Sequence, residues 1–277
     1  MKPAYFEYFR ASTVVEAVDK LGGDPEARLL AGGQSLIPAM NFRVARPSQL
    51  IDINGLEELK PLVARLPENI LEVGALVRHQ QIATSPLVQR YLPFMATVAL
   101  SIGHWAIRSR GSVGGSLCHA DPAAEWPAFM VAASAQMVVA GRQQYRRIPA
   151  DTFCSGFMET ALEPGEMLVK IEIPLAQGGW GFWEVARRPG DFAMAGAVCR
   201  RHNSRTTVTW FGADLSGPGT VTVETDGGAC HGTRFWEDAA SRVLAVDDDY
   251  MVQILGYCAE QACRQAQSDE GRDYDNR

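Results

Sequence analysis

Two glycine-containing segments carry the residue types that could bind a phosphorylated molecule. In the first, residues 29–36, an apolar stretch runs into Gly32-Gly33 and then into the polar pair Gln34-Ser35. Two consecutive residues without a Cβ atom allow backbone N–H groups to turn outward and enclose an anion such as a pyrophosphate. Ser35 adds a hydroxyl donor at the start of the next turn. Plain turns share this pattern, so the segment alone leaves both interpretations open.

The second segment, residues 108–125, combines glycines and small hydroxyl residues with His119, Asp121 and Glu125. Glycines and hydroxyls suit phosphate contacts, and carboxylates accept hydrogen bonds from ribose or ribityl hydroxyls. Each residue also has a structural interpretation: Asp121 could cap a helix, Glu125 could lie on the surface and His119 could fill a polar pocket. The presence of two such segments in one chain favours binding.

Other functional classes lack the residues that they require. Neither segment matches G-x-G-x-x-G or contains a P-loop lysine, which argues against an ordinary NAD dehydrogenase and a Walker-type nucleotide hydrolase. The six cysteines form no C-x-x-C pair, so the chain offers no plausible ligands for a metal or an iron–sulfur cluster. A net charge of −6 argues against a general nucleic-acid binder. No catalytic acid–base set is found.

The first part of the chain mixes helix and strand patterns without a regular alternation, which predicts an α+β fold. Thr13 and Glu16 form a predicted capping box, followed by an apolar helical stripe. A second helix is predicted over residues 94–102, followed by a loop. Asp121-Pro122 then predicts the start of a helix that runs to Ala133. Strands are predicted at residues 29–31, 50–53, 70–77, 137–140, 145–148 and 168–173.

After residue 176 the pattern changes to an antiparallel meander followed by helices. Its strands are predicted at residues 180–187, 192–201, 206–215 and 220–225, and its helices at 235–246 and 250–266. We therefore predict two domains, residues 1–176 and 177–277. The apolar runs are too short for a membrane span, and no apolar signal core follows Met1, so a cytoplasmic protein is expected.

Taken together, these segments resemble the FAD-binding medium subunit of the xanthine dehydrogenase and carbon monoxide dehydrogenase family, the molybdenum hydroxylases. The matching stretches are residues 31–36, 107–117, 119–125, 165–174 and 185–193. The resemblance spans nearly the whole chain, and the order of its motifs is highly specific. Trp126 stands where many members of the family have a smaller aliphatic residue.

The resemblance implies an FAD domain of the vanillyl-alcohol-oxidase type, built from two α+β subdomains, and a smaller C-terminal domain of antiparallel strands with helices. By resemblance, the first glycine segment and Val113 to Ser116 hold the diphosphate, and Glu125 contacts the sugar-like chain of the flavin. Ile102 and Leu168 match positions near the isoalloxazine ring. The residues assigned to cofactor binding are Leu30, Ala31, Gly32, Gly33, Gln34, Ser35, Leu36, Ile102, Ser112, Val113, Gly114, Gly115, Ser116, His119, Asp121, Glu125 and Leu168.

The family also implies a division of labour between subunits. A large molybdopterin subunit hydroxylates a substrate, and a small subunit with two two-iron clusters relays electrons to the FAD of this chain, which passes them to an external acceptor. A dimer of such heterotrimers is expected. The hydroxylated substrate and the final acceptor stay open. Exposed tryptophans could mark subunit interfaces, and the candidates are Trp105, Trp180, Trp210 and Trp236.

Two alternatives are carried beside this interpretation. The first is a stand-alone FAD-dependent oxidase or reductase of the same fold. It is disfavoured because the region after residue 176 is short and contains only His202 and His231 as histidines. The second is a scaffold without a cofactor, in which both glycine segments are merely turns.

Overall fold

The first sheet is parallel, and β3 (Gln49–Asp52) lies between β1 (Glu7–Arg10) and β2 (Arg28–Leu30). The computed structural model describes residues 1–175, 178–213, 215–225 and 230–269. The first elements are β1 (Glu7–Arg10), α1 (Val14–Gly23), β2 (Arg28–Leu30), α2 (Leu36–Asn41) and β3 (Gln49–Asp52). Thr13 caps α1 as predicted, because its hydroxyl accepts from the Glu16 N–H at 3.1 Å. The Glu16 carboxylate accepts from the Ser12 N–H at 2.7 Å, so the reciprocal half of the predicted capping box is displaced by one residue.

The second sheet is antiparallel, has the order β4-β5-β10-β6-β7 and has β10 at its centre. Its strands are β4 (Leu62–Arg65), β5 (Ile70–Gly74), β6 (Gln136–Ala140), β7 (Tyr145–Pro149) and β10 (Met167–Pro174). A short 3-10 helix (Glu57–Leu59) precedes β4, and a small hairpin of β8 (Cys154–Gly156) and β9 (Glu159–Thr160) precedes β10. A register shift between Leu168 and Lys170 interrupts the pairing of β10 with β6.

Short helices lie in the chain between the strands of this second sheet, and several of them share one apolar core with it. They are α3 (His79–Thr84), α4 (Pro86–Tyr91), α5 (Pro93–Ser101), α6 (Trp105–Arg110), α7 (Val113–His119), α8 (Glu125–Ala132) and α9 (Ala150–Phe153). The loop predicted after α5 is therefore wrong over most of its length, since α6 and α7 occupy it. The helix predicted from Asp121 begins only at Glu125. The Asp121 carboxylate accepts instead from the Ala123 N–H at 2.9 Å and stabilises a turn before α8.

The C-terminal part is the predicted meander, with β11 (Gly179–Ala186), β12 (Ala193–His202), β13 (Arg205–Phe211) and β14 (Gly219–Glu224) paired in sequence order. Helices α10 (Thr233–Val243) and α11 (Asp249–Asp269) pack against the sheet. Gly181 allows the close approach of α11, because a Cβ atom at this position would lie 1.8 Å from the Ala262 carbonyl oxygen.

One apolar core connects the parts on either side of the predicted domain boundary. The boundary itself, between residues 176 and 177, lies outside the described residues. The Trp180 ring lies 5.4 Å from that of Phe94 and 5.7 Å from that of Phe129. Trp180, Trp210 and Trp236 are thus wrong as candidates for subunit contacts, since they are buried within this chain. Trp105 is 66% exposed.

Helices and strands are mixed as the α+β prediction requires. No helix within the described ranges is long and apolar enough to cross a membrane.

Candidate cofactor-binding site

The first glycine segment connects the end of β2 to the start of α2 and leaves its N–H groups free. Gly33 adopts a φ of +70°, in the left-handed region that glycine enters without strain. The Ile37 N–H donates to the Gly33 carbonyl at 3.1 Å and turns the chain into α2. Within the described part of the chain, the N–H groups of Gly32, Gly33 and Gln34 donate to no protein acceptor. They are available to an anion from outside the protein.

The second glycine segment differs, because the N–H groups at the start of α7 are already engaged. The bonds run from Val113 to the Val77 carbonyl (2.9 Å), Gly114 to the Ala75 carbonyl (2.9 Å), Gly115 to the Ser112 hydroxyl (3.2 Å) and Ser116 to the Ser112 carbonyl (3.0 Å). This segment is consequently a wall fixed by the protein itself. Gly115 is exposed and Ser116 is half-buried, so their surfaces remain accessible.

The two segments touch, backbone against backbone. A Cβ atom on Gly32 would lie 2.3 Å from the Arg110 carbonyl oxygen and 2.8 Å from the Gly111 Cα. A Cβ atom on Gly115 would lie 3.9 Å from the Ala31 Cβ. Residues 31–36 and 111–117 contain no acidic side chain. Bare backbone, outward N–H groups and hydroxyls without acids fit the diphosphate of a dinucleotide such as FAD. We call this surface, residues 31–35 and 111–116, the glycine cradle.

His119 is the last residue of α7, about 10 Å from the first for a helix of seven residues, and the predicted acids Asp121 and Glu125 follow it in the chain. Ala120 ends α7 in the left-handed conformation, with φ of 50°. His119 and Asp121 are half-buried, whereas Glu125 is only 8% exposed. Burial, followed by repulsion from Glu184 and Asp121, raises the pKa of Glu125 to about 8. Glu125 therefore holds a proton at neutral pH and can donate as well as accept a hydrogen bond.

Glu184 is a half-buried acid whose charge acts on Glu125, and the sequence prediction did not include it. It lies on β11, and its Oε2 atom is buried without a hydrogen-bond partner among the described residues. Burial raises the pKa of Glu184 to about 7. A single acid within the apolar strand Trp180-Gly-Phe-Trp-Glu-Val-Ala is the sequence signal that could have identified it.

The predicted neighbours of the flavin ring lie in different environments. Leu168, on the irregular stretch of β10, is 3% exposed and belongs to the main core. Ile102 follows α5 and is half-buried, and its carbonyl accepts from an Arg108 Nη1 at 3.2 Å. Ile102 is therefore the more accessible of the two, and both contact the same apolar cluster.

A buried histidine supports the second glycine segment from the protein side. The His79 N–H donates to the Gly111 carbonyl at 3.2 Å, and Trp126 Nε1 donates to His79 Nδ1 at 3.0 Å. Burial and the nearby arginines 78 and 108 lower the pKa of His79 to about 4, so the ring is neutral at pH 7. A neutral Nδ1 can accept the indole hydrogen bond, which joins α3 to α8.

Comparison with known proteins identifies the family to which this chain belongs. A family model described as the FAD binding domain in molybdopterin dehydrogenase matches residues 4–176. The carbon monoxide dehydrogenase medium chain of Hydrogenophaga pseudoflava is 34% identical over 284 residues, covering 96% of this chain and 98% of that protein. The caffeine dehydrogenase subunit beta of Pseudomonas sp. (strain CBB1) is 39% identical over 202 residues, covering 72% of this chain and 68% of that protein.

A solved structure agrees with these sequence relationships. A chain in the crystal structure of quinoline 2-oxidoreductase from Pseudomonas putida 86 superposes with a TM-score of 0.86 at 31% identity. The match covers 98% of this chain and 100% of that one. The chain therefore belongs to the family of FAD-binding subunits of molybdenum hydroxylases. The predicted family, the α+β fold and the FAD cofactor are confirmed, whereas the role of each individual site residue stays a prediction.

Proposed function

We propose that this chain is the electron-transfer subunit of a cytoplasmic heterotrimeric molybdenum hydroxylase, working as a dimer of heterotrimers. It takes electrons from the iron–sulfur clusters of a small subunit and passes them to an external acceptor, while a large molybdopterin subunit hydroxylates the substrate. The glycine cradle is the observation that carries the proposal, since it offers free N–H groups to an FAD diphosphate. The names "medium chain" and "subunit beta" of its relatives support a complex with further subunits.

The proposed residue roles follow from the geometry of the cradle. The N–H groups of residues 32–34 bind the diphosphate, and Val113 to Ser116 form the opposite wall, in which the buried Ser112 hydroxyl holds the Gly115 N–H and the half-buried Ser116 offers its own hydroxyl. Ser35 adds its hydroxyl at the start of α2, and Leu30, Ala31 and Leu36 hold the first segment in place.

Beyond the end of α7, the protonated Glu125 at the start of α8 hydrogen bonds with hydroxyls of the sugar-like chain, together with His119 and Asp121. Ile102 and Leu168 provide apolar surface to the ring. Bound FAD accepts electrons singly and releases them singly or in pairs. The residues of this chain bind and orient the cofactor and take part in no proton transfer to a substrate.

Reconstitution tests this function. The purified chain is expected to show flavin absorption near 370 and 450 nm (roughly, for any oxidised flavin) and to release FAD at close to one per chain. Added alone to oxidisable substrates, it is expected to be inactive, and activity should require the large and small subunits expressed with it. A colourless chain that takes up no FAD would overturn the proposal. Substrate oxidation by the chain alone would favour a stand-alone oxidase or reductase instead.

A further inference from the structure

A chain of polar side chains joins the two glycine segments behind the cradle. Its first member, Asn54, lies just after β3, outside the residues predicted to bind FAD. The Asn54 Nδ2 atom donates to the Leu30 carbonyl at 3.1 Å and to the Ala31 carbonyl at 2.9 Å. These carbonyls lie where β2 ends and the first glycine segment begins. Asn54 therefore holds the base of that segment.

Arg78 continues the connection to the second segment. It precedes α3, and its guanidinium donates from Nη2 to the Asn54 Oδ1 at 2.6 Å and from Nη1 to the Arg110 carbonyl at 2.5 Å. The Arg110 carbonyl is the group that contacts Gly32. A planar guanidinium presents its donors in a rigid fork, so both acceptors are held in one fixed geometry.

Asp52, at the end of β3, anchors this connection in the parallel sheet and supplies a negative charge near Arg78. Asp52 accepts from the Asn54 N–H at 2.9 Å, from Asn54 Nδ2 at 2.7 Å and from the Tyr8 hydroxyl at 2.5 Å. Burial and the positive charge of Arg110 lower the pKa of the half-buried Arg78 guanidinium. The negative charge of Asp52 acts in the opposite direction and favours the charged guanidinium. The Asp52 carboxylate thus stabilises the arrangement through Asn54 and Arg78.

We propose that Asn54 and Arg78 form a positioning clamp, which sets the separation of the two glycine segments and thereby the affinity of the chain for FAD. The inference rests on the proposed function of the glycine cradle. The two segments belong to different subdomains, the parallel sheet and the helices of the antiparallel sheet. The clamp spans this junction at the point where the segments touch. Both side chains act through the backbone of the cradle, without contacting the cofactor.

An FAD titration of the full-length chain, stripped of flavin and followed by quenching of flavin fluorescence, tests the clamp. Arg78→Met and Asn54→Ala are each expected to raise the Kd for FAD by about 10- to 100-fold, as loss of hydrogen bonds to a charged group implies. The Kd of the double variant for FAD should be close to that of the single variant with the higher Kd, because both changes break the same connection. The matched control is Arg205→Met, which removes an exposed arginine paired with Glu224 and should leave the Kd unchanged.

Chemical rescue separates positioning from general destabilisation. Guanidinium ion, added far below denaturing concentration, should restore FAD affinity to Arg78→Ala but not to Asn54→Ala. Arg78→Lys keeps the charge but loses the fork, so it should fold and bind FAD more weakly than the wild type, even where the alanine variant fails to fold. If the wild type binds FAD and Arg78→Lys binds equally tightly, the clamp is overturned. If the wild type itself takes up no FAD, the proposed function fails instead.

Discussion

Gly32 occupies the point where the two walls of the cradle are closest. The space that its missing Cβ would fill is taken by the Arg110 carbonyl oxygen, 2.3 Å from the ideal Cβ position. The nearest atoms, the Arg110 carbonyl and the Gly111 Cα, belong to the backbone. A larger residue at position 32 must therefore push the two backbone segments apart. The separation of the walls is therefore sensitive to a single methyl group.

Substitution of Gly32 by alanine should open the cradle. We expect Gly32→Ala to lower the free energy of unfolding by about 1–3 kcal/mol, as overpacking does in dense interiors, and to weaken FAD binding. Urea unfolding and FAD titration measure the two effects. Gly23→Ala is the control, because an added Cβ there meets nothing within 4 Å at the end of α1. It should be neutral or slightly stabilising. Equal FAD affinity in Gly32→Ala and the wild type would contradict this account.

Glu125 should make the stability of the flavin-free chain depend on pH. Its pKa rises from the ordinary 4.5 to about 8 in the folded protein, chiefly through burial. Between these values the folded state keeps a proton that the unfolded state releases. The contribution of Glu125 to the free energy of unfolding should therefore fall as pH rises from about 4.5 to about 8, whereas His79, with its pKa lowered to about 4, contributes the opposite slope below about 6.5. Denaturant titrations at several pH values across this window measure the slope.

Glu125→Gln provides the test of that assignment. An amide mimics the protonated carboxyl and does not titrate, so this variant should flatten the slope and be more stable than the wild type near pH 8. Glu224→Gln is the matched control, since Glu224 is exposed and should leave the slope in this window unchanged. A slope that persists undiminished in Glu125→Gln would assign the dependence to another group. Glu184, whose pKa is about 7, would be the next to replace.

At the scale of elements, the indole of Trp126 joins α8 to α3 through His79. Trp126→Phe keeps most of the ring volume but leaves the buried His79 Nδ1 without its donor. We expect this variant to lower the free energy of unfolding by about 1–3 kcal/mol, the penalty for an unsatisfied buried polar group. Thermal unfolding measures it, with Trp105→Phe as the control at a tryptophan that is 66% exposed. A loss in Trp126→Phe no larger than in the control would show that this hydrogen bond contributes little.

The sequence predicted strands more reliably than the short helices near the site. The four strands after residue 178 follow one another with turns between them, so local pattern was sufficient there. Helix α7 contains two adjacent glycines and has low intrinsic helix propensity. It forms because Gly114 packs against Ala75, where a Cβ atom would come within 2.6 Å. Such tertiary packing leaves no local signal, and the segment was therefore predicted as a loop.

Residue type alone selects some of the candidate site residues, whereas the properties of others depend on their burial in the folded chain. Gly32 and Gly33 stand out in the sequence as adjacent glycines; Gly33 turns the chain at φ of +70°, and Gly32 allows the close approach of the Arg110 carbonyl. Glu125 was selected as an acid, but its retained proton follows from burial in the folded chain. The sequence analysis did not include Asn54 and Arg78, because they reach the glycine segments through backbone carbonyls, which any sequence possesses.

At the scale of the whole molecule, the shared core should make the chain unfold as one unit. Trp180, from the first strand after residue 178, is 4% exposed and stacks on Phe94 across the junction. We expect a single calorimetric transition for the flavin-free wild type. Trp180→Ala should lower the free energy of unfolding by about 3–5 kcal/mol, as loss of a buried aromatic side chain does. It should also split the single calorimetric transition into two.

Trp105→Ala serves as the control for the shared core. It removes an equally large side chain from an exposed position and should change stability by less than about 0.5 kcal/mol, with one transition retained. Two transitions already present in the wild type would show that the parts unfold independently despite their common core.

Three glycines in and beside the second glycine segment have no room for a Cβ atom, and this limits which substitutions the sequence can accept during evolution. The Cβ space of Gly32 is filled by Arg110, that of Gly111 by His79 and that of Gly114 by Ala75. A mutation that enlarges one of these glycines is tolerated only if its neighbour retreats, and that neighbour is itself held by the next contact. The three positions should therefore drift together or stay fixed, while Gly23 and Gly217, which have open space around them, are free to vary.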